Sequence, residues 1–91
     1  MRYQTTPSFE RTLSDLDNKR KQHAKNAIKK IVIFFETKQK PEGLGLKKLR
    51  KDFWEVRVDL KDRIIFRLFD DIVQWVIVGT HDEIKRYLKR A

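Results

Sequence analysis

The chain contains no cysteine, which excludes a disulfide framework, a thiolate nucleophile and any cysteine-based zinc site. A reducing cytoplasm suits such a composition. Prolines number two and glycines three; Pro41, Gly43 and Gly45 fall together and mark the one obvious loop, and nothing reads as a Gly-rich phosphate loop, a repeat or a low-complexity segment. Long apolar runs are also missing. Stretches without charge or amide, such as Ile31 to Phe35, fall far below the ~20 residues of a membrane span, and Met1-Arg2-Tyr3-Gln4 lacks the apolar centre of a signal peptide. No metal-ligand cluster and no Ser/His/Asp nucleophile set is visible, so neither a metal nor a cofactor is expected.

Acidic residues are scarce: 13 Asp and Glu stand against 22 Lys and Arg, a formal charge of +9 on 91 residues. Lys and Arg that neutralise phosphates release condensed counterions, so this surplus points to a polyanionic partner, either nucleic acid or an acidic protein. With 40% hydrophobic and 11% aromatic residues the chain can pack one core. A chain below about 100 residues cannot support two, and residues 1–91 read as a single domain.

Thr6 followed by Pro7 reads as a helix cap, and Phe9, Leu13 and Leu16 form one apolar stripe up to Asp17-Asn18. A second helix is expected over about Lys19 to Lys38, with Ala24, Ile28, Ile31 and Phe35 on one face and Lys21, Lys25 and Lys29 opposite. After the loop the period becomes two. Trp54, Val56, Val58 and Leu60 alternate with Phe53, Glu55, Arg57 and Asp59, the first set being the better core face. Ile64, Phe66 and Leu68 then alternate with Arg63, Ile65, Arg67 and Phe69. Asp70-Asp71 makes a turn, Ile72 to Val78 is nearly continuously apolar and reads as the centre of the sheet, Gly79 ends it, and Asp82 can cap a last short helix. The order β-α-α-β-β-β-α predicts an α+β fold, two helices packed on one face of a small, mainly antiparallel sheet whose other face stays open. Arg57 and Arg63 should share that open face.

Leu49-Arg50, Phe53-Trp54-Glu55-Val56-Arg57-Val58, Asp62-Arg63-Ile64-Ile65-Phe66, Asp70-Asp71 and Val78-Gly79-Thr80-His81 with Tyr87 resemble, in order and spacing, the toxins of the RelE/ParE superfamily. The resemblance covers nearly the whole chain and is nearest to the RelE-type branch. It implies a metal-independent endoribonuclease that enters the ribosomal decoding site and cuts messenger RNA by attack of a ribose 2′-hydroxyl on the neighbouring phosphate, and a cognate antitoxin with an amphipathic, acidic segment. Such cleavage needs a base, an acid and cations at the phosphoryl oxygens.

By that resemblance Arg63 is the phosphate clamp, for which a planar guanidinium is suited. His81, in the position after "V-G-x", is the acid or base, since histidine titrates near neutrality. Tyr87 matches the family's C-terminal tyrosine, although with Ile84 and Leu88 it also forms an apolar helix face and can equally be a core residue. Glu42 resembles a loop glutamate that acts as base in one branch, or is simply solvated. Arg57 and Glu55 stand where RelE has two lysines, so one charge is reversed and a carboxylate becomes available to share the proton work. Lys47, Lys48, Arg50 and Lys51 form one basic run and Lys19, Arg20 and Lys21 another; these and Arg67 are candidates to grip RNA. The alternatives are a ParE-type toxin that binds DNA gyrase without nuclease activity, and an inactive basic RNA-binding relative.

Overall fold

Thr6 opens the first helix as its side chain allows: its hydroxyl oxygen accepts the Phe9 N–H at 3.1 Å, with Pro7 in the first turn. The computed structural model describes residues 1–40 and 43–90. It runs β1 (Arg2–Thr5), α1 (Pro7–Ser14), α2 (Asn18–Thr37), β2 (Leu46–Arg50), β3 (Phe53–Arg57), β4 (Asp62–Phe69), β5 (Ile72–Thr80) and α3 (His81–Arg90). Asp17 caps α2 by accepting the Arg20 N–H at 2.8 Å, and Lys38 ends it in the left-handed region at φ 63°. No described helix is long and apolar enough to cross a membrane.

The strands form one sheet in the order β1-β5-β4-β3-β2, with β1 parallel to β5 and the other pairs antiparallel. The expected α+β architecture is present, with one strand more than the sequence pattern indicated. Leu46 and Leu49 are its only apolar residues and fall on opposite faces, so β2 carries no alternation. The centre of the sheet is β4 rather than the more apolar β5, which lies between β4 and β1.

One face carries the main core. Val56, Ile64, Phe66, Val73, Trp75 and Val78 meet Phe9, Leu16, Ala24, Ala27 and Ile31 from the helical layer. Phe35, Phe66 and Trp75 pack edge to face, with centroids 6.0 and 5.6 Å apart, an arrangement the ring quadrupole favours. Leu60, expected in this core, is 94% exposed. The reason is Asp59: its carboxylate accepts the Lys61 and Asp62 N–H groups, each at 2.8 Å. That side-chain turn ends β3 at Arg57 and throws Leu60 outward.

The opposite face is only half open. The register shift between β4 and β5 places Val76 beside Ile77, and with Ile65 they form a second cluster that α3 covers through Ile84, Tyr87 and Leu88. The last helix therefore starts earlier than expected. Thr80, not Asp82, is its cap: the Thr80 N–H donates to Glu83 Oε1 at 2.8 Å and the Glu83 N–H to the Thr80 hydroxyl at 3.3 Å, a reciprocal capping box.

Candidate functional site

Strand parity brings the two arginines together. Arg57 and Arg63 are direct cross-strand partners, and Arg63 in turn faces Gly79, so all three lie on the face away from α1 and α2, with Gly79 buried beneath Glu83 of α3 and the two arginines beside it. Lys47 pairs with Glu55 in the adjacent row, and His81 begins α3 immediately after β5. These five side chains line an open cleft of about 540 Å³.

Two glycines shape it. Gly45, at φ +62°, brings the loop against β3 so closely that an added Cβ would stand 3.1 Å from the Arg57 Cβ, and at Gly79 it would stand 3.0 Å from Glu83 Oε1. A side chain at either position would displace an arginine or the cap of α3.

Arg63 is the unusual member. Its guanidinium and the Glu55 carboxylate are mostly buried, and they approach only to 3.7 Å, beyond the reach of a good hydrogen bond. Nη1 of Arg63 is buried with no hydrogen-bond partner among the described residues. Leaving a buried donor unmatched costs about 1–3 kcal/mol, a cost that a phosphate oxygen would remove.

Behind the cleft, Asp62 is fully buried and receives two bonds from Arg20, Nε to Oδ2 at 2.8 Å and Nη2 to Oδ1 at 2.7 Å. This fork ties α2 to the residue preceding Arg63, and it commits Arg20 to the fold, which takes it out of the basic run expected over Lys19, Arg20 and Lys21. Asp62 shares parity with Ile64 and Phe66; a carboxylate among core-facing positions was the available sign of a buried pair. Glu83 is held below the usual carboxylate range, chiefly because it accepts the Thr80 N–H, against the effect of its burial and with further help from the Thr80 hydroxyl and Arg20. That carboxylate occupies the start of α3, so the positive field in the cleft comes from Arg57, Arg63 and Lys47.

The remaining candidates lie elsewhere. Tyr87 belongs to the second core cluster with Ile65 and Ile84 and is not among the residues lining the cleft. Lys48 lies over Trp54 on the helical side at 5.8 Å. Arg50 donates to the Leu88 carbonyl at 2.9 Å, Lys51 stands in the β2–β3 turn at φ 49°, and Arg67 bonds Asp52 at 2.8 Å and stacks on Phe69 at 4.6 Å. Lys19 and Lys21 are on α2, away from the cleft lining. Glu42 lies outside the described residues. Among the described residues no group of three His, Asp or Glu side chains is arranged to hold a metal ion.

No family model matches the chain, and no curated protein matches it in sequence. Solved structures do. YafQ from E. coli strain BL21(DE3) superposes with a TM-score of 0.67 at 16% identity, over 92% of this chain and 98% of that one. A chain of the RelB-RelE antitoxin-toxin complex from Methanococcus jannaschii gives 0.69 at 15% identity, over 92% and 96%. A chain of the E. coli DinJ-YafQ complex gives 0.69 at 19% identity, over 92% and 98%. The elements that build the cleft are thus arranged in a known way, and the chain has the fold of the RelE-type toxins.

Proposed function

We propose that this chain is the toxin of a toxin–antitoxin pair and acts as a ribosome-dependent, metal-independent endoribonuclease on messenger RNA. The observation that carries the reading is Arg63: a guanidinium mostly buried at the base of a cationic cleft with one donor unmatched, beside Arg57 and an exposed histidine. A scissile phosphate that draws the guanidinium outward supplies the missing acceptor.

In the reaction the ribose 2′-oxygen forms a bond to phosphorus and the bond from phosphorus to the 5′-oxygen breaks, leaving a 2′,3′-cyclic phosphate and a 5′-hydroxyl. Arg63 and Arg57 offset the charge that gathers on the phosphoryl oxygens. Glu55, a carboxylate in the same cleft, takes the 2′ proton, and His81 delivers one to the departing 5′-oxygen. Tyr87 has no step.

The RelE and YafQ relatives were solved with RelB and DinJ. By analogy an acidic, amphipathic antitoxin segment covers the basic cleft, and the toxin works in the cytoplasm where ribosomes are. The test is addition of the protein to a translating extract with mapping of message ends, beside a gyrase supercoiling assay. New 5′-hydroxyl ends on ribosome-bound message are expected. Uncut message together with blocked gyrase would replace this reading with the ParE-type one.

A further inference from the structure

Arg57 is shared by two hollows. On the side away from Arg63 a second pocket of about 210 Å³ opens between α2 and the end of β3, lined in part by His23, Asn26, Lys30, Arg57 and Asp59. It meets the cleft at Gly43 and Arg57, which line both. His23, Asn26 and Lys30 stand at i, i+3 and i+7 on α2 and so share one helical face.

The pocket is built rather than incidental. Asp59 Oδ2 lies 2.9 Å from His23 Nδ1, while Oδ1 accepts the Lys61 and Asp62 N–H groups, so ring and carboxylate are both fixed. The side-chain oxygen of Asn26 accepts from Gln22 at 3.1 Å, leaving its amide hydrogens to donate. Ala27, Leu44 and Val58 supply apolar wall. A hollow meant for phosphate alone would carry neither a carboxylate nor apolar walls. A planar heteroaromatic ring uses both, with its faces on the apolar surface and its edge on donors and acceptors. The exposed cations Lys30 and Arg57 then fall where its flanking phosphates run.

We propose that this pocket receives one nucleobase of the RNA strand held in the cleft, splayed out of the stack, with Asn26 and the His23–Asp59 pair contacting its edge. The inference rests on the proposed RNA substrate. It makes the pocket a specificity subsite adjoining the scissile phosphate and gives α2 a direct part in recognition.

The experiment measures binding of fluorescent single-stranded RNA hexamers, each abasic at one position, to the parent chain and to Asn26→Ala and His23→Ala. In the parent, removing the base at one position should weaken binding roughly 10-fold, the usual scale of a well-read base. In either variant the intact hexamer should bind like the parent's abasic one, and base removal should cost nothing more. Unchanged melting temperatures keep the comparison fair, and Asn26→Asp, which keeps the size but not the donors, provides a second variant should His23→Ala unfold. Equal affinity for every abasic hexamer overturns the proposal, as does a loss in the variants that is the same for all hexamers, or no binding at all. Message cleavage by the parent in the extract tests the nuclease reading independently: a parent that cuts but shows no base-dependent position sinks the subsite alone.

Discussion

At the residue scale, Arg63 combines burial, a distant carboxylate and an unmatched donor. Arg63→Ala and His81→Ala should each lower ribosome-dependent cleavage by roughly 10²-fold, the usual contribution of a charge-stabilising or proton-transferring group. Arg63→Lys tests the fork itself, because an ammonium keeps the charge but not the bidentate plane; its activity should stay nearer to Arg63→Ala than to the parent. His81 is exposed, so its removal should change stability by no more than about 0.5 kcal/mol, and a matching melting temperature would separate lost chemistry from lost fold. Tyr87→Phe preserves the ring that packs on Ile65 and Ile84 and should cleave like the parent. A Tyr87→Phe variant that fails to cut while folding normally would return the hydroxyl to the chemistry.

At the scale of elements, the fork from Arg20 to Asp62 joins α2 to β4, and the box between Thr80 and Glu83 joins β5 to α3. Between these two ties lie Arg63 and His81, so the cleft inherits its geometry from both. Asp62→Ala should cost about 3–5 kcal/mol, the range for stranding one partner of a buried ion pair, while Asp62→Leu combined with Arg20→Met should recover most of it. Chemical denaturation of the single and double variants decides; a double variant as weak as the single would mean that packing, not a stranded charge, sets the cost. Much of this level was readable in the chain. Thr6 announces α1 and the Asp17-Asn18 break parts it from α2, and alternation places β3 and β4 and puts Arg57 and Arg63 on one face. What escaped depended on partners distant in sequence. Arg20 lies 42 positions from Asp62, β2 owes its existence to pairing with β3, and the covered half of the sheet depends on where α3 docks. His23 carries no signal in the sequence because Asp59, its partner, reads as an ordinary strand residue. The cap of α3 is displaced from Asp82 for a local reason: Asp82 is a good cap, but Thr80 has Glu83 three residues on.

For the whole molecule the balance of charge governs both stability and binding. Asp52 is held below the usual carboxylate range chiefly by its hydrogen bond to Arg67. Burial pushes Asp59 upward, but the Asp62 N–H, His23 and the Lys61 N–H outweigh it, and Glu83 is lowered through Thr80. Groups with depressed folded values contribute fully above their unfolded values of about 4 and lose that contribution as pH falls through the folded ones. Stability should therefore hold down to about pH 4 and collapse below it, as an acid titration followed by circular dichroism would record; a transition centred near pH 6 would contradict the assignment. At the other extreme Tyr3, which donates to Glu36 at 2.7 Å, is pushed up to about 12 by burial and that carboxylate. Its contribution is complete below about 10 and is lost between there and about 12. The final question is whether RNA sees the net charge of +9 or the cleft. For single strands the logarithm of affinity falls with the logarithm of salt by about 0.7 per phosphate contact. Lys47, Arg57 and Arg63 line the cleft and Lys30 the pocket beside it, while Arg20, Arg50 and Arg67 are engaged by protein groups. Three or four contacts predict a slope of about −2 to −3, whereas diffuse adsorption by the entire surplus predicts about −6. A single strand of about twenty nucleotides, long enough to reach the whole basic surface, titrated across a range of salt concentrations separates the two, and a slope near −6 that Arg57→Ala leaves unchanged would show that the surface, not the cleft, binds RNA.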